Sequence, residues 1–390
     1  MIIVKYIKAM ESTPVVAKKN HKDKSKCEKC QKEPSKICNR DKYLCYNCFE
    51  EIISHKFRSN LRTNCKIRHE DYVLVCISGG NASMAMLNMF YKTFYETTTN
   101  RKLFFKLKIL YIDDSIFNPE KEQIVKERET KRNFLTSLCS KYHFDIDIIN
   151  LENIFLINDK NSNLTNSQTN IDNVDKYLSI FNKIPTKGGF RSQFVHITTQ
   201  NLIFAHCLRN SFTKIVYGSS GQGVVKDLFS QITIGKGCNI RHSTSYLDEF
   251  YLGGKIQILK PLRDFFNKEI LYYNYYNKID ILYSHFDMDK SDSILNQFFE
   301  TLQSTKLSTV PSVINTAEKL ILDKNDSKYC KFCLGKYDTP VTSLEFGSEG
   351  SKNSTSKNEN LCYGCLRMFS NIQDKNEEDT LLTLFSSLSI

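Results

Sequence analysis

From Tyr72 onward, short apolar runs alternate with longer amphipathic stretches. "YVLVCI" (Tyr72–Ile77) reads as a buried strand, and "SMAMLNMFYKTFYE" places Met84, Leu87, Tyr91 and Phe94 at helical spacing. "KLKILYIDD" predicts a second strand, the charged stretch from Pro119 to about Tyr142 a second helix, and "FDIDIINL" a third strand. Helices are expected over Arg191–Asn210 and Val224–Ile234, with strands at "KIVYG" (Lys214–Gly218) and "KIQIL" (Lys255–Leu259). "KPLRDFFNKEILYY" reads as a helix opened by Pro261. Strand–helix alternation of this kind requires crossover connections, so the expected fold is α/β: a doubly wound parallel sheet with helices on both faces.

Around this core the pattern changes. A basic arm without order is expected over residues 1–26, and residues 27–70 form a Cys-rich module with a basic helix. The α/β domain spans 71–280, with a disordered insertion near 158–174 that contains "NDKNSNLTNSQTN" (Asn158–Asn170). A helical segment follows over 281–329. A second Cys module with an apolar tail, "LLTLFSSLSI", occupies 330–390 and contains the polar loop "GSEGSKNSTSKNEN".

The 390 residues suffice for two or three domains, and 41% hydrophobic and 12% aromatic content supports an ordinary packed core. No apolar run approaches the ~20 residues of a membrane span. "MIIVKYIKAM" is interrupted by Lys5 and Lys8 and lacks a small-residue cleavage site, so no signal peptide is read and a cytoplasmic or nuclear setting is expected. Lys and Arg number 54 against 43 acids, a net charge of +11. This points to an anionic partner, nucleic acid or an acidic protein; the plain alternative is a soluble basic surface.

Fourteen cysteines in a reducing compartment are not expected to be disulfides, and eight of them form four C-x-x-C pairs. "CEKC" (Cys27, Cys30) and "CYNC" (Cys45, Cys48) are separated by 14 residues, close to zinc-ribbon spacing, with Cys38 between them as a candidate substitute ligand. "CKFC" (Cys330, Cys333) and "CYGC" (Cys362, Cys365) are 28 residues apart, a longer loop that costs little extra closure entropy. Both sets read as closed, four-cysteine structural zinc sites rather than catalytic ones.

In "VLVCISGGNAS" (Val73–Ser83) a strand meets a helix start at Ser78, Gly79 and Gly80. Backbone N–H groups, the helix dipole and the Ser78 and Ser83 hydroxyls would suit a phosphate there, and a ligand-free tight turn is the alternative. "HKFRSNLR" gathers His55, Arg58 and Arg62 on one helical face with Lys56 nearby, and Lys66 and Arg68 follow. The stripe suits an RNA backbone, although a solvated helix face would look the same.

The Cys pairs followed by "HKFRSNLR", "VLVCISGGNASMAML", "GKG" (Gly235–Gly237), "KPLRDFFNKEI" and a terminal "CYGC", in this order, resemble the cytoplasmic tRNA 2-thiolation protein 2 family. These blocks cover less than half of the chain. The resemblance implies a PP-loop (adenine nucleotide alpha hydrolase-like) sheet and, as partners, tRNA, a homologous catalytic thiolase subunit and a ubiquitin-related sulfur carrier. Active members of the PP-loop class carry Ser-Gly-Gly-x-Asp-Ser; here the acid position is Ala82. Active thiolases of the related type also keep a C-x-x-C where this chain has "PTKGGFRSQ" (Pro185–Gln193). They carry paired acids where it reads "GSSGQG" (Gly218–Gly223). No cysteine lies between the helix beginning at Pro261 and Cys330.

The resemblance therefore implies a subunit of a wobble-uridine thiolase that is not catalytic by itself, with a vestigial phosphate loop at Ser78, Gly79, Gly80 and Ser83. ATP use by this chain alone is not expected, because the lost carboxylate stands where Mg-ATP concentrates charge. Two alternatives stay open at this level: a self-sufficient ATP-dependent tRNA-modifying pyrophosphatase, and a zinc-stabilised RNA-binding scaffold outside thiolation.

Overall fold

The computed structural model describes residues 25–96, 105–118, 120–159, 162–165, 169–282, 290–320, 328–337 and 361–370. Most of the arm expected over 1–26, the loop "GSEGSKNSTSKNEN" and the apolar tail lie outside them.

A hairpin of β1 (Ile37–Asn39) and β2 (Lys42–Leu44) leads into α1 (Tyr46–Ser59), which continues into a π-helical turn over Asn60–Asn64. Then come β3 (Tyr72–Ile77), α2 (Asn81–Tyr91), β4 (Lys106–Asp113), α3 (Lys121–Lys141) and β5 (Ile146–Asn150). They are followed by α4 (Ile171–Lys183), α5 (Phe190–Arg209), β6 (Lys214–Tyr217), α6 (Gly221–Thr233), the short α7 (Ile240–Thr244), β7 (Leu247–Asp248) and β8 (Gln257–Leu259). The described chain closes with α8 (Asn267–Tyr276), α9 (Lys290–Thr305), α10 (Thr309–Lys319), a small hairpin of β9 (Lys328–Tyr329) and β10 (Lys336–Tyr337), and α11 (Tyr363–Met368).

The main sheet has the order β5-β4-β3-β6-β8-β7. Every pair in it is parallel except β7 with β8 at one edge. The expected doubly wound α/β sheet is present, with a short antiparallel edge added. Its central strand, β3, pairs with β4 on one side and β6 on the other, in the register Val75 to Ile109 and Val216. Loops leaving neighbouring strands in opposite directions open a crevice at the carboxyl ends, where ligands of such sheets bind.

Period-two alternation along β3 divides the core. Val73, Val75 and Ile77 face α1, α2 and α8, whereas Leu74 and Cys76 face α4, α5 and the C-terminal Cys module. Each Cys module is built into one of these two cores. Phe49, Ile53 and Phe57 of α1 are fully buried beneath the sheet's first face. On the other face Phe332 stacks on Phe194 at 5.9 Å and meets Phe369 edge-on at 5.0 Å.

Two expectations change. The insertion near 158–174 is pinned where it is described: the Arg209 guanidinium donates to the carbonyls of Ile157 at 2.9 Å, Asp159 at 2.9 Å and Ser162 at 2.7 Å. Leu164 is buried, and α4, which overlaps the expected insertion, buries Val174, Tyr177 and Ile180. Low complexity concealed an apolar stripe that begins at its end. The helix expected from Pro261 begins only at Asn267, because Pro261–Asp264 form turns. Their carbonyls serve the N-terminal module instead, with Asn60 Nδ2 donating to Pro261 O at 2.8 Å and Lys56 Nζ to Asp264 O at 2.7 Å.

Candidate functional site

The two Cys sets fold by one local plan. In each, the first C-x-x-C is a turn closed by a backbone bond, Gln31 N to Cys27 O at 2.8 Å and Leu334 N to Cys330 O at 2.9 Å. Gln31 and Leu334 both take left-handed backbone, φ 56° and 57°. The second pair in each opens a helix, with Cys45 at the start of α1 and Cys362 at the start of α11. "LCYNC" and "LCYGC" are thus one repeated unit.

The four Sγ atoms of each set lie within 4.8 Å of one another, with edges of 3.8 Å from Cys30 to Cys45 and 3.7 Å from Cys333 to Cys362. Metal–sulfur bonds of about 2.3 Å around a tetrahedral ion give sulfur–sulfur edges of about 3.8 Å, so both sets fit a single metal ion. Cys38 lies in β1 outside the cluster, so it is not the substitute ligand.

Packed thiols cannot all ionise without a cation, and they share their protons unequally. Hydrogen bonds from Cys330 hold Cys333 and Cys362 below the ordinary thiol value, while the bond to Cys333 pushes Cys330 up. Burial pushes Cys27 up, but the backbone N–H groups of Cys30, Cys45 and Lys29 outweigh it and bring this thiol down to about 6. Lys236, the middle of "GKG", lies beneath the second set. A Cβ on Gly364 would stand 3.2 Å from its Cε. Burial lowers the Lys236 ammonium, but the surrounding thiolates outweigh it and keep it charged.

The Ser-Gly-Gly loop leaves β3 at the sheet's crevice, as its sequence predicts. Ser78 N donates to Ser83 Oγ at 3.2 Å, and Ser83 Oγ donates to Gly80 O at 3.1 Å, closing the loop on the first turn of α2. A Cβ on Gly218, at the end of β6, would stand 2.7 Å from Ser83 Cα, so only glycine lets the end of β6 approach the first turn of α2 this closely. Gly79 has φ +79°, and Leu282 covers it: Leu282 N donates to Gly79 O at 2.9 Å, and a Cβ on Gly79 would meet Leu282 Cβ at 2.6 Å. In "GSSGQG" Ser220 caps α6, its Oγ accepting from Gly223 N at 3.2 Å and donating to Asn267 Oδ1 at 2.6 Å.

The basic stripe is divided by its own geometry. His55 and Arg62 are exposed and Arg58 is half-exposed, with exposed Lys66 and Arg68 on the segment entering β3. Lys56 turns inward onto Asp264 O, Glu269 at 3.3 Å and the Phe265 ring at 4.2 Å. An open groove of about 550 Å³ runs along α1 between Lys29, Glu51, His55 and Ser59.

No family model matches the chain. It is 26% identical over 371 residues to cytoplasmic tRNA 2-thiolation protein 2 of Danio rerio, covering 80% of this chain and 72% of that one. With the protein of the same name from Dictyostelium discoideum it is 26% identical over 321 residues, covering 79% and 57%. The resemblance to this family thus extends over about four-fifths of the chain, well beyond the motif blocks. Among solved structures, the U34-tRNA thiolase NcsA from Methanococcus maripaludis with its 4Fe–4S cluster aligns at TM-score 0.55 and 15% identity. That alignment covers 77% of this chain and 91% of that chain. At such identity the likeness is one of fold.

Several site features had no signal in the motifs shared with the 2-thiolation family. At the ends of β4 and β5, Arg128 is clamped by Glu152 through two bonds of 2.8 Å, and it also reaches Asp113 at 3.3 Å and Thr169 at 2.8 Å. Leu282 has no motif at all. The "LCYxC" repeat was readable, and the unequal spacers, 14 and 28 residues, obscured it.

Proposed function

We propose that this protein is the non-catalytic subunit of a cytoplasmic heterodimer that 2-thiolates the wobble uridine of the tRNAs for Lys, Glu and Gln. A homologous catalytic subunit carries the adenylation, and a thiocarboxylated ubiquitin-related carrier supplies sulfur. The names of its relatives support tRNA thiolation as the process and the cytoplasm as the place.

The phosphate loop carries the proposal of a non-catalytic role. The loop keeps its closing serine bonds and its close approach to β6, yet Ala82 stands at the acid position and Leu282 rests on Gly79. Phosphoryl chemistry depends on metal ions and charged groups that neutralise the transferring phosphates. Without that carboxylate, Ser78, Gly79, Gly80 and Ser83 serve as a scaffold that holds β3 against β6. Both four-cysteine sets are assigned to structural zinc. Their sulfurs sit at the vertices of a one-ion tetrahedron, whereas an iron–sulfur cluster would hold its cysteines apart with iron and sulfide between them. His55, Arg58, Arg62, Lys66 and Arg68 are the proposed tRNA contacts. Lys56 belongs to the fold.

The isolated protein, incubated with Mg-ATP and unmodified tRNA, is expected to release no AMP above background. AMP release that disappears in a Gly80→Pro variant would make the chain an enzyme and overturn the proposal.

A further inference from the structure

We propose that the C-terminal four-cysteine module is a second RNA-binding surface, one that stacks unpaired bases. It rests on the reading of the protein as a tRNA-handling subunit and extends it to a face outside the basic stripe.

The repeat within the chain reveals the feature. In the N-terminal unit Tyr46, the residue after Cys45, stacks on Tyr276 at 4.8 Å and belongs to the packed body. Its counterpart Tyr363, the residue after Cys362, is 43% exposed. Its ring is seated on Gly235, where a Cβ would stand 2.7 Å from Tyr363 Cδ1, and the Arg367 guanidinium lies 5.7 Å from its centroid. Tyr329, the residue before Cys330, is 51% exposed, with Lys336 Nζ 6.0 Å from its ring. Lys331 between them in sequence is exposed as well.

Both tyrosines adjoin one cluster of cysteines, and the segment Gly235–Asn239 contacts Tyr363 directly and Lys336, the strand partner of Tyr329. Gly235 supports Tyr363, and Asn239 Oδ1 accepts from Lys336 N at 3.1 Å. Each ring is thus seated before any ligand arrives, Tyr363 on Gly235 and Tyr329 against the Phe250 ring at 5.7 Å, so little ordering cost remains on binding. Exposed rings accompanied by cations match unpaired nucleotides: bases stack on the rings while the cations follow the phosphates. Paired RNA hides its base faces and offers the rings nothing. The +11 charge of the whole chain favours RNA as the occupant.

The test uses the full-length, metal-loaded protein and two fluorescein-labelled RNAs, the anticodon stem–loop of tRNA for Lys and a fully paired duplex of the same length, read by anisotropy. Tyr363→Leu keeps bulk over Gly235 but removes the π face, and Tyr329→Leu does the same at the other ring. Each is expected to weaken stem–loop binding about tenfold while leaving the duplex unchanged, and Tyr363→Phe restores wild-type binding. Arg62→Ala is expected to weaken both RNAs.

Equal stem–loop binding by both leucine variants and the wild-type chain overturns the proposal. So does a loss that affects the duplex equally while two metal ions per chain are retained. Binding of a polyglutamate peptide that requires Tyr363, with the stem–loop unaffected, would assign the surface to an acidic protein instead. RNA binding by the isolated protein and thiolation in cells are separate readouts, so this inference and the proposed function can fail independently.

Discussion

Lys56 and Arg62 belong to one basic run, and the helix sends them in opposite directions. The Lys56 ammonium is lowered by burial, with Glu269 opposing that shift, and it donates to Asp264 O and Glu269. Arg62 is exposed. A Lys56→Ala substitution removes a partner from Glu269, which is 3% exposed and then relies on Arg40 at 3.1 Å and the Phe266 N–H at 3.0 Å. It is expected to cost about 2 kcal/mol in urea unfolding, whereas replacing the exposed Arg62 by alanine should move the midpoint far less. Gly79→Ala must adopt φ +79° and press on Leu282, with an expected loss of about 1–3 kcal/mol. Gly79→Ala with Leu282→Gly, which alone removes the Cβ met at 2.6 Å, should recover the part due to contact and not the part due to the Gly79 backbone, a separation that a double-mutant cycle measures. The serines and glycines of the loop were legible in the sequence because strand, Gly-Gly and helix start are contiguous. Leu282 was not legible, since its role exists only through a contact across about two hundred residues of chain.

At the scale of elements, the Cys sets explain how short segments hold their shape. Cys330, Cys333, Cys362 and Cys365 share a core with Phe332 and Met368 against α5, where Asn201 Nδ2 donates to Phe332 O at 3.0 Å. Cys330→Ser is therefore expected to release metal and destabilise the second core by more than ~4 kcal/mol, since ligand loss here also opens the packed aromatic contacts. Stoichiometric metal analysis before and after the substitution, with calorimetry on the same samples, checks this: two ions should become one and Tm should fall. Ligand spacing made both sets readable from the sequence, as did the strands β3, β4, β5, β6 and β8 from their apolar runs. What spacing could not convey was their integration. The C-terminal set reads as a flanking module, yet its phenylalanines complete the core of the sheet. The turn over Pro261–Asp264 was likewise hidden, because its carbonyls are claimed by Asn60, Lys56 and Arg40 from a distant module.

For the whole molecule, β3 is the axis of the arrangement. One Cys module closes each face of the sheet, the Ser-Gly-Gly loop lies at the crevice between β3 and β6, and the basic stripe and the tyrosine pair stand on different modules. The proposed role, a subunit that holds RNA beside a crevice without completing its chemistry, rests on this layout. The most direct test is to deplete the protein from cells and run their tRNA on a mercury-containing gel, which retards thiolated species, probing the tRNAs for Lys, Glu and Gln. The account predicts loss of the retarded bands, restored by the wild-type chain and also by a Ser78→Ala variant, since the loop acts as scaffold. Retarded bands that persist at full intensity after depletion would contradict it.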